Sequence, residues 1–465
     1  MTIAIIAVAA AAVLAALATG YAWGRSRRPR KDDVRDPVGQ GRPQRLEPLT
    51  PEKKAERDEW KGRLFNGFHE NAIAKGKAMA RSDDEPAYFR LSILRNIVAW
   101  YEAETAVDPA HRDVDVLIAG DLSLPGGTTE SNVQEIKALR EAGLTVGLYH
   151  HPAYKFDVAR PVNPKISHFI ESDGGVVAVG RHDSVRARLA ILRFPPSFHR
   201  LADTLPDVRS DRSVLVVNQS PYGYYGEDGP RRKVWDVAKV RENLRRWPGE
   251  VDWYSVGPAI TEVMSRHHAE DLGGVELAEE PWYDIVAGDF PPHRGSDRDG
   301  VIVVGRHARD DKRKWPSAED LRLCYPDAPD FRIEVLGGAE AAREKLGGLP
   351  DNWNVHGFGE KDVDDFLAGI DVMVYFIGKD AVEAFGRAPM EAMARGIPVV
   401  TEPRFADLFG DGALYCEPAA VERTVRDLVS DETRLRRQSE SGRRTVRERF
   451  SAESYLNRVG RLLPD

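Results

Sequence analysis

Glu383-Ala-Phe-Gly-Arg-Ala-Pro-Met-Glu391 runs directly into Ala392-Met-Ala-Arg-Gly-Ile-Pro-Val-Val400. Pro389 suits the first turn of a helix, where its missing N–H has no intrahelical partner to lose. Gly396 suits the helix C-terminus, and Pro398 cannot continue the helix. Ile397 to Thr401 then reads as a short buried strand. The spacing therefore predicts Glu383 on a loop and Glu391 in the first turn of a short helix. The N-terminus of such a helix offers free N–H groups and a positive dipole end, which is an anion site.

The same helix-then-strand grammar extends in both directions. Upstream lie Val301-Ile-Val-Val-Gly305, Phe331 to Gly337, Trp353 to Gly357 and Asp371 to Tyr375, each a short apolar run separated by helical stretches. Short apolar strands alternating with helices predict a parallel α/β sheet. An earlier series starts at Val114-Asp-Val-Leu-Ile-Ala-Gly120. It passes through the turn Pro125-Gly126-Gly127 and reaches Leu144 to Tyr149, Gly175 to Gly180, Leu189 to Arg193 and Val214 to Asn218. Pro291-Pro292, Gly295 and clustered charges divide the two series. Two open, doubly wound domains facing a cleft are the predicted architecture.

Length and composition agree. A chain of 465 residues, 42% hydrophobic and 30% charged, holds enough apolar material for two or three domains. A formal charge of -8 leaves no electrostatic footprint for nucleic acid. Only Cys324 and Cys416 are present, in no metal-ligand spacing, which argues against a disulfide scaffold or a zinc site.

Thr2 to Trp23 carries no charge and is mostly Ala, Ile, Leu and Val. Its length matches the roughly 20 residues that cross a bilayer core. Arg25, Arg27, Arg28, Arg30 and Lys31 follow, so the positive-inside rule places the remainder in the cytoplasm. The rival reading, a cleaved signal peptide, wants its positive charge before the apolar core. Residues 1–24 are therefore assigned as a single-pass anchor in the cytoplasmic membrane, and 25–50, with Pro37, Pro43 and Pro48, as a tether. Residues 51–108 read as a helical segment opened by Thr50-Pro51, with Trp60, Leu64, Phe68, Phe89, Ile93 and Trp100 at helical spacing. The first α/β domain is assigned to 109–296, the second to 297–440, and 441–465 to a helix returning to the first domain.

The stretch from Glu383 to Val400 resembles the E-x-F-G-x-x-x-x-E-A-M-A-x-G-x-P-V-V signature of the group 1 glycosyltransferases, the retaining GT-B superfamily that includes glycogen synthase. Two glutamates at this spacing are weak evidence in a chain with 74 acidic residues; the whole string is specific. The resemblance runs from about Val301 to Pro418 and implies two Rossmann-like domains and transfer of a sugar from a nucleotide-diphosphate sugar. It implies further that Gly305-Arg306 and Lys314, with Lys312 as the alternative lysine, hold the donor diphosphate. Glu391 would accept from the ribose hydroxyls. Glu383, Phe385 and Gly386 would contact the transferred sugar, and His356-Gly357-Phe358 would lie near the nucleobase. In the first domain Gly126 and Gly127 resemble the loop that approaches the donor phosphates. His182 stands where the family often carries a catalytic histidine, with His150 and His151 as rivals for that role.

The chain departs from the family pattern in places. Lys314-Trp315 stands for the usual K-G, and no I-P-N-G-V-D joins the domains. Asp113-Val-Asp115 and Asp362-Val-Asp364 formally match a metal-binding D-x-D but read as a strand start and a helix, so no metal and no cofactor is expected. The reading that results is a membrane-anchored, metal-independent, retaining glycosyltransferase acting on a glycan, lipid-linked or cell-envelope acceptor. Its alternatives are a sugar-nucleotide epimerase on the same fold and an inactive membrane scaffold.

Overall fold

The computed structural model describes residues 49–65, 67–151, 161–286 and 300–463. The anchor and most of the tether assigned above lie outside them. Among the described residues, no helix is long and apolar enough to cross a membrane.

The chain divides into two compact units. The first contains the helices Pro51–Phe65, His69–Arg81 and Ala87–Thr105. Thr50 accepts from the Lys53 amide through its hydroxyl at 3.3 Å and from the Lys54 amide through its carbonyl at 2.9 Å, as a helix N-cap does. The apolar residues at helical spacing converge on a core of Trp60, Leu64, Phe89, Ile93 and Trp100. Trp60 also donates its indole N–H to the Ala72 carbonyl at 2.7 Å, which satisfies the one polar atom that its burial removes from water.

The second unit holds two six-stranded parallel sheets. In the first, β1 (His111–Gly120), β2 (Val146–His150), β3 (Val176–Ala178), β4 (Ser184–Arg193), β5 (Asp207–Val217) and β8 (Asp252–Ser255) lie in the order β3-β2-β1-β4-β5-β8. Between β5 and β8 an antiparallel hairpin, β6 (Tyr222–Gly226) and β7 (Gly229–Lys233), stands outside the sheet. In the second, β9 (Ile302–His307), β10 (Phe331–Leu336), β11 (Trp353–His356), β12 (Val372–Tyr375), β13 (Val399–Thr401) and β14 (Leu414–Tyr415) lie in the order β11-β10-β9-β12-β13-β14. Strand order thus reverses between β1 and β4 and again between β9 and β12. Ligands of open α/β sheets bind beyond the carboxyl ends of the strands at such a reversal.

The strands are continuous apolar runs because both faces of each sheet are covered, as in the wholly buried Val214 to Val217. The helix Glu432–Arg449 runs on past residue 441 and closes over the second domain, with Gly442 against Met393. The last helix, Ala452–Leu462, packs on the Gly127–Glu141 helix of the first domain. Its Tyr455 meets Trp282 edge-on with ring centroids 5.9 Å apart.

Candidate active site

A cleft of about 780 Å³ opens between the two sheets, lined from both domains. On the second-domain side, Gly386 takes the left-handed conformation (φ 74°, ψ 52°) that glycine adopts without a Cβ clash, and the helix Arg387–Ala394 starts from it. Pro389 sits in that first turn, and Gly396 (φ 76°) follows the helix end. Glu391 comes at the start of the second turn rather than in the first, so Arg387 reaches it at i,i+4 spacing and donates from Nε to Oε1 at 2.9 Å. Burial raises the Glu391 carboxyl above its ordinary value, with the Arg387 charge opposing. His307, at the carboxyl end of β9, places Nδ1 3.8 Å from Glu391. Burial lowers the His307 imidazole to about 4, so it is neutral at pH 7 and the contact is not an ion pair.

Glu383 lies on the loop after β12, in the same cleft. One carboxylate oxygen, Oε2, is shared: the Lys314 ammonium is ion-paired to it, and Tyr375 Oη donates to it at 2.5 Å. The Gly386 amide adds a further hydrogen bond. Burial works against the charge, but the Lys314 ammonium and these donors outweigh it and hold the carboxyl below its ordinary value.

The first domain contributes Pro125, Gly126 and Gly127 at the start of the Gly127–Glu141 helix, together with Glu130 and Lys165, which are ion-paired to each other. Gly126 has φ 83°, and a Cβ built there would meet no protein atom within 4 Å. The space beside it is open cleft, so a ligand can approach the backbone closely. Glu130 and Lys165 both act electrostatically on Glu391, which puts them opposite it.

Glu383, Lys314, Glu391, Phe385, Gly386, Gly126, Gly127 and Phe358 therefore meet in one cleft. Five expected residues, Arg306, Gly305, His182, His356 and Gly357, do not line it. Arg306 is 0% exposed. Its guanidinium lies 4.2 Å above the Trp315 ring and donates to Tyr325 Oη at 3.0 Å, to the Phe376 carbonyl at 3.0 Å and to the Lys314 carbonyl. These bonds brace the loop that carries Lys314. Gly305 is in the strand interior, where a Cβ would fall 2.3 Å from Ile370 Cδ1; the glycine is there for packing. His182 adjoins Asp183, whose carboxylate accepts from the Ala110 amide at the amino end of β1, away from the cleft. His356 is turned to Glu334, 3.2 Å away, and its neighbour Gly357 donates to Glu360.

The rivals fare no better. Lys312 pairs with Glu344 at 2.5 Å on the surface. His151 is buried between the Ser197 carbonyl (3.0 Å) and the Ala202 amide (3.1 Å), and His150 accepts from the Leu122 amide at 3.1 Å. Asp362 caps the helix Val363–Ala368 through the Asp364 amide, and Asp364 pairs with Arg395, so both have structural partners although both border the cleft. Asp115 binds the Thr145 amide at 2.8 Å.

Reading along the chain missed His307, Arg309, Arg313, Arg387 and Lys165, which all line the cleft. Residues 306–314 hold several cations in a row, and only the turn after β9 decides which of them point inward. Arg309 is exposed there, while Arg313 is fixed by Asp311 at 2.8 Å.

Residues 319–445 match the family described as Glycosyl transferases group 1. That segment contains Glu383 and Glu391 and begins after Arg306 and Lys314. No curated protein is recognisably similar to the chain by sequence. Among solved structures, that of Anabaena Alr3699/HepE in complex with UDP and glucose superposes with a TM-score of 0.50 at 13% identity, over 75% of this chain and 99% of that one. A glycosyltransferase from Rickettsia africae ESF-5 gives 0.50 at 13% identity, over 76% and 99%. These likenesses establish a GT-B-like fold of two α/β domains. The family match is thus to the group 1 glycosyl transferases and spans residues 319–445.

Proposed function

We propose that the protein is a retaining glycosyltransferase that moves a sugar from a nucleotide-diphosphate sugar to a glycan, lipid-linked or cell-envelope acceptor. The observation that carries this reading is the pair of half-buried carboxylates, Glu383 and Glu391, which flank the start of one helix in one cleft and have different partners. Glu383, held ionised by Lys314, faces the sugar. Glu391, beside neutral His307 and Arg387, accepts from the ribose hydroxyls. Cleavage of the glycosyl–phosphate bond puts negative charge on the leaving diphosphate. Lys314, Arg309, Arg313 and the N-termini of the Gly127–Glu141 and Arg387–Ala394 helices stabilise that charge as it grows. These fixed cations take the part that a metal ion plays elsewhere, and chelator leaves turnover unchanged on this reading.

The test is a thermal-shift screen against uridine, guanosine and adenosine diphosphates and their sugars, followed by hydrolysis and transfer assays. A ligand that binds the folded state raises its stability by mass action. UDP-glucose is the first donor to try, given the ligands of the HepE structure. Finding that no nucleotide diphosphate shifts the transition would overturn the reading. The apolar residues 2–23 and the cations behind them make a cytoplasm-facing anchor part of the proposal. Sedimentation of the full chain with membranes, and release of a chain beginning at Thr50, would support it; export with cleavage near residue 20 would refute it.

A further inference from the structure

The hairpin β6–β7 belongs to the first domain by sequence, yet its outer edge is paired to the second. The Tyr225 amide donates to the Asp380 carbonyl at 2.8 Å, and Tyr224 forms an antiparallel bridge with Ala381. Within the hairpin Tyr225 stands opposite Pro230, which has no N–H to offer. The outward bond of Tyr225 is therefore separate from the pairing that holds the hairpin together. Arg231 adds an ion pair to Asp380 at 2.9 Å. The two side chains are 53% and 34% exposed, so this pair contributes little by itself and the backbone pairing is the stronger tie. Gly226 leaves room for the Asp380 carboxylate: a Cβ there would lie 2.5 Å from Oδ2 and 2.8 Å from Cγ.

The segment so gripped leads directly into Glu383. On its other side it is held by Arg404, which donates to the Lys379 and Ala381 carbonyls, both at 3.2 Å. The Gly378 amide meanwhile donates to the Arg313 carbonyl at 2.9 Å, in the segment that carries Lys314. The hairpin springs from Asn218, Gln219 and Ser220, which line the cleft. A main-chain connection thus crosses from one wall of the cleft to the loop that aims the catalytic carboxylate on the other.

We propose that the β6–β7 hairpin is a positioning element for Glu383, acting through strand pairing to Asp380 and Ala381. This rests on the reading of Glu383 as the sugar-contacting carboxylate. The hairpin acts mainly on the rate of the chemical step, because its main-chain pairing reaches the Glu383 loop and not Glu391; Gly223 also lies beside the Arg313 guanidinium, so diphosphate binding changes less than kcat rather than not at all.

The hairpin can be removed with its ends in place, since the Val234 amide already donates to the Pro221 carbonyl at 2.7 Å across its base. In the full chain, residues 222–233 are replaced by two glycines. Donor hydrolysis without acceptor is then measured at saturating nucleotide sugar, beside calorimetric titration with the nucleoside diphosphate. The expected result is a roughly tenfold fall in kcat, with diphosphate Kd changed less than about twofold. Unchanged hydrolysis with reduced transfer would assign the hairpin to the acceptor and overturn the proposal. So would a parallel loss of diphosphate affinity.

A second readout needs no turnover and stands even if the transfer reading fails. Amide hydrogen exchange across residues 377–384 should quicken at least about tenfold in the excised protein. Unchanged exchange there would overturn the positioning role. Should excision prevent folding, Tyr225→Pro removes the outward N–H that donates to the Asp380 carbonyl, and with it the strand pairing itself. It is expected to move exchange and kcat in the same direction by about threefold, and no movement in either would count against the proposal.

Discussion

Lys314 and Glu383 are ion-paired inside the cleft although 69 residues separate them in sequence, and Tyr375 donates to the same carboxylate oxygen. Side-chain exposures of 26% and 11% place the pair between a surface bridge and a buried one. The Glu383 oxygen is thus already occupied by two donors. A sugar hydroxyl then uses the other carboxylate oxygen, shares this one, or displaces Lys314 toward the diphosphate. Lys314→Ala is expected to lower donor turnover by about 10² to 10³. Glu383→Gln should lower it too, while leaving diphosphate affinity nearly intact. The double variant should cost far less than the product of the two, because the residues work as one unit. Steady-state kinetics of the four proteins of the cycle, with calorimetry of the diphosphate, tests this; independent, multiplying effects would show that the pair does not act as one.

Arg306 is expected to be a stability residue. Arg306→Ala leaves the Phe376 and Lys314 carbonyls and the Tyr325 hydroxyl short of a donor in a closed interior, and it empties the space over Trp315. Each buried group left unsatisfied costs about 1–3 kcal/mol, so a loss of at least about 3 kcal/mol is expected in denaturant unfolding. A variant that unfolds like the wild type but binds donor weakly would restore Arg306 to the site.

The contrast between Arg306 and Lys314 shows what could be read along the chain. The two α/β series, the helix after Gly386 and the positions of Glu383 and Glu391 follow from local apolar runs, proline and glycine. These are properties of neighbours in sequence. Arg306 differs: it lies within a strand covered on both faces, and only the packing of Trp315, Tyr325 and Tyr375 around it shows that its guanidinium is satisfied internally. Likewise β8 and the β6–β7 hairpin were not read as strands. Asp252 to Ser255 is too short for an apolar run, and Gly229-Pro-Arg-Arg-Lys233 carries no apolar alternation at all. His307 and Lys165 lack any local mark of function. They matter because two sheets place their carboxyl ends across one cleft.

Two glycines near the site should behave in opposite ways. Gly305→Ala would thrust a methyl group 2.3 Å from Ile370 and is expected to destabilise the fold by about 1–3 kcal/mol, since a packed interior has little room to yield. Gly126→Ala meets no protein atom, but φ 83° with ψ -149° is a backbone region essentially restricted to glycine, so it costs the apo protein about 1–3 kcal/mol through the backbone alone. Its methyl group would instead occupy cleft volume beside the helix N-terminus. Donor affinity should fall at least tenfold, read as a smaller rise of the unfolding midpoint on adding nucleotide, whatever the shift of the apo midpoint. Thermal unfolding with and without nucleotide separates the two; equal nucleotide stabilisation of Gly126→Ala and wild type would take Gly126 out of the donor site.

Glu391 gives nucleotide binding a pH dependence whose sign follows from its raised carboxyl. Its ordinary value is 4.5, and burial lifts it in the folded protein. Between the two values the folded state holds a proton that the unfolded state has lost. Apo stability therefore falls as pH rises through that window, and the penalty is complete above the folded value. Ribose hydroxyls that donate to the ionised carboxylate oppose this, so ligand affinity runs the other way. It should be full at neutral pH and weaken as pH falls through the raised value, at a higher pH than an unperturbed glutamate would produce. Glu391→Gln removes the titration. Its diphosphate Kd should be about tenfold to a hundredfold weaker at pH 7.5, the cost of one hydrogen bond to a charged group. Its Kd should also weaken less toward acid than that of the wild type, so that the two proteins converge; the dependence that is left belongs to the terminal phosphate of the ligand, whose second ionisation lies at about pH 6. Calorimetric titrations from pH 5 to 8, beside Glu383→Gln as a control that keeps the wild-type profile, would decide the matter. An acid loss as large in Glu391→Gln as in the wild type would place the titrating group elsewhere and remove Glu391 from the ribose.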